Sequence, residues 1–372
     1  MSEYIDDIYE ETQRARLLSL IAVCGELPVD QICRLPGGER YKQNMIVQLK
    51  KRKQIKTFYK DGLRGYRLLL PAKEILLRQN PNRFDFYLTG VNETNHIRSE
   101  ITRRLRLHRL AETTVSMLNS GAEIYRDNKP DIFSPIYTPT EITSPSFYNS
   151  REIKELGIDT IKINGARAMG VLLTEYNVFS VYNLGDSMMK WDYKAEMRFK
   201  AMMQTTLCQN RLSRQYSTDS MQGVIFGNSM EFVSDILSQT RNKEYFILDG
   251  GYDHFYYLTN DRKGERILSV LCYPEVVKMF HSTLGSDFNK QDPTFPVEND
   301  AIDKKGNPVL FACICDLPRI NRFVNAVESQ HRHGIIVGFE FQEDVLNRLC
   351  PEQIEFQSIS FEKWERNYFD EN

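Results

Sequence analysis

The stretch from Leu17 to Leu70 constrains this chain more than any other. Leu17, Leu18, Ile21 and Ala22 recur at helical spacing, so Glu11 to Cys24 reads as an amphipathic helix. Gly25 ends it, Pro28 suits a first helical position, and Val29 to Leu35 reads as a short second helix. Pro36-Gly37-Gly38 forces a turn, because glycine reaches backbone angles that other residues avoid. A third helix is expected from about Glu39 to Lys53. Beyond it, Ile55 to Tyr59 and Tyr66 to Leu70 read as two strands. Between them lies a basic, glycine-containing tip, Lys60-Asp61-Gly62-Leu63-Arg64-Gly65. Helix, short helix, third helix and hairpin is the order of a winged helix-turn-helix, a module that lays its third helix in the major groove.

On the third helix, Met45, Ile46 and Leu49 share one side. Residues about 100° apart then put Arg40, Gln43, Asn44, Val47, Lys51 and Gln54 on the other. That outward set suits base edges: Arg grips guanine, Asn and Gln grip adenine, and a small apolar side chain meets a thymine methyl. Lys50, Lys51, Arg52 and Lys53 close the helix as a basic cluster, where cations also favour the dipole end. The residues expected to meet DNA are therefore Arg40, Lys42, Gln43, Asn44, Val47, Lys50, Lys51, Arg52, Lys53, Lys60, Arg64 and Arg67. Ten Lys and Arg fall between Arg40 and Arg67, against Asp61 inside and Glu39 just outside. The whole chain has a net charge of −2, so the remainder is net acidic. The plainer reading is a solvated helix end on a protein-interaction module, since charge runs usually are solvated. The coincidence of the run with a groove-sized helix and a basic wing tip favours nucleic acid.

A length of 372 residues with 41% hydrophobic and 26% charged content fits an ordinary globular protein of two or three domains. No apolar run approaches the roughly 18 residues of a membrane helix. The acidic Met1 to Glu11 does not resemble a secretory signal, and seven Cys without CxxC pairing fit reduced thiols, so a cytoplasmic protein with no membrane partner is expected.

Further along, Ala72 to Arg78 reads as a short helix, and Asn80-Pro81-Asn82 breaks the chain. The aromatic Phe84 to Leu88 is expected to pack against the first module. A long helix follows from about Asn95 to Asn119, with Ile97, Ile101, Leu105, Ala111, Val115 and Leu118 as its apolar stripe. Arg98, Arg103, Arg106 and Arg109 lie largely off that stripe; they either extend a DNA footprint or form a soluble face. His108, within the stripe, reads as a satisfied core histidine. Arg126 to Ser150, with four prolines, reads as an extended connector.

From Thr160 the chain mixes strands and helices. Ile161 to Ile163, Met169 to Thr174, Val178 to Asn183, Val224 to Gly227, Tyr252 to Leu258, Arg266 to Leu271, Val309 to Cys315, Gly334 to Phe341 and Ile354 to Phe361 read as strands. Tyr193 to Leu207, Met230 to Thr240, Pro274 to Leu284, Leu317 to Ser329 and Glu343 to Leu349 read as helices. The expected class is α+β or α/β: an N-terminal winged helix-turn-helix and a mixed α/β body, of which a degenerate restriction-endonuclease-like core is one reading. The expected organisation is a DNA-binding domain over 1–80, a basic helix and connector over 81–150, a nuclease-like domain over 151–290 and an α/β extension over 291–372.

A nuclease of that type holds a metal between an acid at one strand end and an acid-x-Lys on the next. Here the first strand ends near Glu175, but Val178-Phe179-Ser180-Val181-Tyr182-Asn183 holds neither acid nor lysine. Glu112 on the long helix would be a third ligand. His331-Arg332-His333 offers two histidines at i and i+2 of an extended segment, the pairing used by metal-dependent nicking enzymes, though Arg332 and Gly334 do not suit a buried strand. Cys313 and Cys315 read as core packing. Gly165-Ala166-Arg167-Ala168-Met169-Gly170 lacks the Lys-Ser/Thr of a phosphate loop. No catalytic residue, metal or cofactor is assigned.

Three features together resemble the replication-relaxation family of winged-helix proteins from plasmids and integrative elements of Gram-positive bacteria. They are the winged helix, the basic run Arg104-Leu105-Arg106-Leu107-His108-Arg109-Leu110, and Gly165 to Val171 leading into Val181-Tyr182-Asn183 and Met189-Lys190-Trp191. The resemblance covers about Leu17 to Leu271. It implies DNA binding in replication or transfer of a mobile element, with a nuclease-like second domain. Some members carry Glu-x-Asp where this chain has Ser180-Val181-Tyr182-Asn183. The first expectation is thus a sequence-specific binder of double-stranded DNA whose α/β body meets a protein partner or a second copy. The alternatives are a metal-dependent nuclease or nickase, and a protein-interaction adaptor or inhibitor of host defence.

Overall fold

The computed structural model describes residues 12–90, 100–132, 141–156, 165–238, 248 and 251–370. The chain forms two compact units, 1–136 and 137–372.

In the first unit, helix α1 (Gln13–Cys24) starts at Thr12, whose hydroxyl accepts from the Ala15 amide, and stops at Gly25 with φ of 79°. Strand β1 (Leu27–Pro28), a 3-10 turn (Val29–Arg34) and helix α2 (Glu39–Lys51) follow. The short second helix expected over Val29 to Leu35 is thus a 3-10 helix. Strands β2 (Ile55–Lys60) and β3 (Leu63–Leu68) pair antiparallel, and β1 adds to the other side of β3. Helices α3 (Leu70–Gln79) and α4 (Pro81–Leu88) meet at Asn80, whose side chain caps α4 by accepting from the Arg83 amide. The break at Asn80-Pro81 is therefore a helix start, and the aromatic stretch after it is helical, with Phe84, Tyr87 and Leu88 buried. Helix α5 (Ile101–Asn119) packs on α1, β1 and β3. Leu17, Leu18, Ile21, Leu49, Leu68, Leu76, Phe84, Ala111 and Val115 are all buried in this unit.

In the second unit, two mixed five-stranded sheets stand among helices, so the class is α+β. The first is ordered β4-β5-β6-β7-β8, from β4 (Ser146–Asn149), β5 (Gly170–Leu173), β6 (Val178–Asn183), β7 (Met221–Gly227) and β8 (Phe255–Thr259). β4, β5 and β6 run antiparallel, and β7 and β8 then join parallel. Such parallel steps need helical crossovers. These are α7 (Tyr193–Met203), which continues as a π-helix to Arg211, and α8 (Glu231–Ser238); α6 (Ser150–Leu156) follows β4. β4 lies inside the stretch expected to be only a connector.

After β8, helix α9 (Arg262–Leu271) replaces the expected strand at Arg266 to Leu271. Asp261 accepts from the Lys263 and Gly264 amides and so starts a helix, and Ile267, Leu268 and Leu271 then bury one face. A short apolar run looks alike in either state. Helix α10 (Pro274–Leu284) leads to the second sheet, ordered β13-β12-β11-β10-β9. Its strands are β9 (Asn289–Lys290), β10 (Ala301–Ile302), β11 (Pro308–Phe311), β12 (Gly334–Phe339) and β13 (Ile354–Ile359). The last three are parallel, linked through α11 (Leu317–Ser329) and α12 (Glu343–Leu349), and α13 (Phe361–Glu365) follows. β11 ends at Phe311, and Cys315 sits in a turn with φ of 51°, so Cys313 and Cys315 do not share a strand face. The reading of Ile161 to Ile163 as a strand lies outside the described residues.

Candidate nucleic-acid interface

Helix α2 divides sharply into two sides. Met45, Ile46 and Leu49 are buried, whereas Arg40, Gln43, Asn44, Val47 and Lys51 are exposed. Val47 is 49% exposed, an apolar side chain left on an otherwise polar face. Glu39 sits in the first turn, where the helix dipole favours an acid, and accepts from Gln43 at 3.3 Å. The helix ends in a Schellman turn. The Lys53 amide donates to the Lys50 carbonyl at 3.0 Å and the Gln54 amide to Leu49 at 2.9 Å. Lys53 thus takes the left-handed position (φ 54°) that usually falls to glycine. Lys50, Lys51, Arg52 and Lys53 are all exposed, and the Lys50 ammonium lies 5.2 Å from the Tyr66 ring on β3, which ties the helix end to the sheet.

The β2–β3 hairpin closes on Asp61-Gly62, both with positive φ (51° and 78°), between the paired Lys60 and Leu63. Two central residues of that kind make a type I′ turn, whose twist matches the strands. Lys60 and Arg64 are exposed beside it.

Two residues of the expected DNA-contacting set are buried instead. Lys42 donates to the Cys33 and Leu35 carbonyls at 2.9 and 3.2 Å, so its ammonium closes the turn before α2. Arg67 is drawn inward by Glu26, to which its Nε donates at 2.8 Å, and its guanidinium lies 3.7 Å from the Phe58 ring. Gln54, also expected on the outer side, is buried and accepts from Arg14 at 2.7 Å.

Glu26 carries no signal in a pass along the sequence. Its side chain is fully buried, and three side chains donate to it: Arg67, Arg104 and His108. Arg104 Nη2 lies 2.5 Å and His108 Nε2 2.8 Å from Oε1. Burial alone would raise the Glu26 carboxyl; the hydrogen bonds from His108, Arg104 and Arg67 outweigh it and hold the group at about 2. Gly65 makes the approach feasible, since a Cβ there would stand 2.5 Å from Glu26 Cγ. The α5 stripe is accordingly rotated from the one expected. Arg104, His108, Ala111 and Val115 face inward, and Ile101 and Leu105 are exposed. A spacing of 104, 108, 111 and 115 was the signal for this, hidden because its first two members are polar.

Comparison with protein-family models, curated proteins and solved structures gave no match.

Of the α5 arginines, Arg103 is exposed and pairs with Glu100 at 3.0 Å, Arg106 and Arg109 are half-buried, and Arg98 lies outside the described residues. Glu112 is on α5, in the first unit, whereas Glu175 sits in the exposed β5–β6 turn of the second. On β6, Ser180 and Asn183 are buried; Asn183 accepts from the Gly185 amide at 2.8 Å and from Asn260 at 3.1 Å. His331 and His333 are exposed in the turn that closes α11. His331 has φ of 51°, and β12 begins only at Gly334, so the pair does not share a strand face. Among the described residues no three His, Cys, Asp or Glu stand together as a metal-holding group, and no helix is long and apolar enough to cross a membrane. None of the seven cysteines forms a disulfide.

One further pair belongs to the second unit. His254 Nδ1 lies 2.6 Å from Asp316 Oδ2, and Asp316 Oδ1 accepts from the Phe255 amide. The hydrogen bond to Asp316 raises the imidazole above its ordinary value.

Proposed function

We propose that the first unit is a winged helix-turn-helix that binds double-stranded DNA, with α2 reading bases in the major groove and β2–β3 as the wing. One observation carries this reading. A single solvent face of α2 presents Arg40, Gln43, Asn44, Val47 and Lys51; Lys50–Lys53 are exposed at the end of that helix, and Lys60 and Arg64 are exposed at the tip of the β2–β3 hairpin in the same unit. Arg, Asn and Gln have the donor patterns for guanine and adenine edges, and Val47 suits a thymine methyl. Lys50, Lys51, Arg52, Lys53, Lys60 and Arg64 supply phosphate contacts that fix register without reading sequence. Lys42 and Arg67 act from inside, holding the turn and β3.

With the family resemblance, the reading extends to replication, transfer or regulation of a mobile genetic element. The second unit then serves as the body that meets a protein partner or a second copy. Its order β4-β5-β6, α7, β7 is compatible with a nuclease-like core in which β6, Val178–Asn183, holds neither the acid nor the lysine that a catalytic strand needs.

The test is fluorescence anisotropy of the full chain on duplexes tiled across its own genetic element, at several salt concentrations with and without Mg²⁺. The expected result is one duplex bound far more tightly than the others, a steep salt dependence and intact DNA afterwards. Absence of duplex binding even at low salt overturns the reading, and cut or nicked DNA with Mg²⁺ replaces it with the enzyme.

A further inference from the structure

Arg104 is a charged side chain with no exposure at all, and it is not spent on Glu26 alone. Its Nη1 donates to the Lys60 carbonyl at 2.7 Å, and its Nη2 reaches the Leu63 carbonyl at 3.2 Å as well as Glu26. Lys60 and Leu63 are the two residues that flank the Asp61-Gly62 turn. The guanidinium also lies 4.6 Å from the Phe58 ring on β2. A single planar fork thus joins α5, the carboxylate beside β1 and both ends of the wing turn. Lysine, a point donor on a flexible stem, does not present that fork. β1 pairs with β3 only at Gly65 and Tyr66, so beyond them the tip is a two-stranded ribbon, marginal on its own, whose direction has to be set from outside.

We propose that Arg104, held by Glu26, is a positioning residue that fixes the wing tip and thereby aims Lys60 and Arg64. The latch stands on the geometry; its effect on DNA rests on the duplex-binding reading above. Arg104 touches no nucleic acid in this scheme. It acts through the two carbonyls, and Glu26 and Gly65 hold it in register with β3. Within the basic run Arg104 to Leu110, Arg104 is therefore an internal strut.

Two measurements on the full chain test this. In hydrogen-exchange mass spectrometry, Arg104→Lys is expected to speed exchange in peptides covering 55–68 by about tenfold or more, with peptides covering 39–53 unchanged. In anisotropy, Arg104→Lys is expected to weaken duplex binding about tenfold and to lower the salt slope by about one to two, as lost wing contacts would. In a Lys60→Ala/Arg64→Ala background the same substitution is expected to add no further loss. Unchanged exchange over 55–68 overturns the latch whatever the DNA result, and a loss of equal size in the double-alanine background overturns its aiming of Lys60 and Arg64. Faster exchange in a protein that never bound duplex keeps the latch and removes the DNA reading. Arg104→Met, which keeps the bulk without donors, is a second route if exchange in Arg104→Lys is fast everywhere. Loss confined to 55–68 supports the proposal there, and global unfolding of both variants overturns it in favour of a role in the fold as a whole.

Discussion

In the first unit the carboxylate of Glu26 is buried among two arginines and a histidine; in the second, the central strand β6 buries Ser180, Tyr182 and Asn183, whose polar atoms are neutral. Tyr182 shows how the second arrangement works. Burial pushes its hydroxyl well above the ordinary value, and it shares a 3.3 Å contact with the Tyr252 hydroxyl and a hydrogen bond with the buried Glu196 carboxylate. The two solutions respond differently to change. A buried charge is tolerable only with its counter-charges in place, so each member depends on the others. Losing a partner of a neutral hydroxyl or amide leaves no uncompensated charge in the core, so each such group depends less on the others. The first unit has invested buried charge in holding a shape under an exposed basic surface.

The largest effect that bears on this contrast is at Glu26. Glu26→Gln is expected to destabilise the first unit by about 3–5 kcal/mol, since it leaves two guanidinium groups buried without their anion; denaturant unfolding of the two proteins measures it. The pH profile sharpens the point. The Glu26 carboxyl is depressed from its ordinary 4.5 to about 2, so its stabilisation is fully present above the ordinary value and is lost as pH falls towards the depressed one. Glu26→Gln is expected to flatten that acid limb. An acid limb unchanged by the substitution breaks the comparison.

Next in size are the outward residues of α2. Asn44→Ala is expected to weaken the cognate duplex by about 1–3 kcal/mol and to leave other duplexes little changed. Lys51→Ala is expected to weaken all duplexes and to lower the salt slope by about one. Equal loss on every duplex for Asn44→Ala removes it from the base-reading set.

A smaller effect has the opposite sign. Lys53→Gly relieves the left-handed backbone at the end of α2 and is expected to raise stability by about 1 kcal/mol in thermal unfolding. The same change removes an exposed cation, so duplex affinity is expected to fall. A protein both more stable and weaker in binding would show that this position serves the surface at the expense of the fold.

The smallest effect tests the second unit. His254 is raised by its hydrogen bond to Asp316, so its contribution is fully present below the ordinary imidazole value and is lost as pH rises through the raised one. The ring is 40% exposed, and solvent screening holds the contribution below about 1 kcal/mol. Asp316→Asn is expected to remove that alkaline limb, and stability measured across neutral pH decides it.

The sequence made some of this legible and hid the rest for identifiable reasons. Leu317–Ser329 and Glu343–Leu349 were readable to the residue, because each has an apolar face of helical period between turn-forming neighbours. The split of α2 into buried and exposed sides was readable from Met45, Ile46 and Leu49 alone. Arg262–Leu271 was not, because Arg-Ile-Leu-Ser-Val-Leu suits a strand as well as a helix and only the Asp261 cap decides. Lys42 and Arg67 look like surface cations until their partners are known, and those partners are backbone carbonyls and an acid 41 residues away in sequence. Glu26 was hidden for the same reason: a buried ion cluster of four residues drawn from three separate segments leaves no local pattern.

One consequence of the sided α2 concerns change over time. Met45, Ile46 and Leu49 anchor the helix, while Arg40, Asn44, Val47 and Lys51 lie outside the buried core. Substitutions at such exposed positions usually move stability by no more than about 0.5 kcal/mol. The outer face can therefore drift, or be rewritten by design, while the core keeps the same shape. Each position of that face can change singly, with every intermediate still folded.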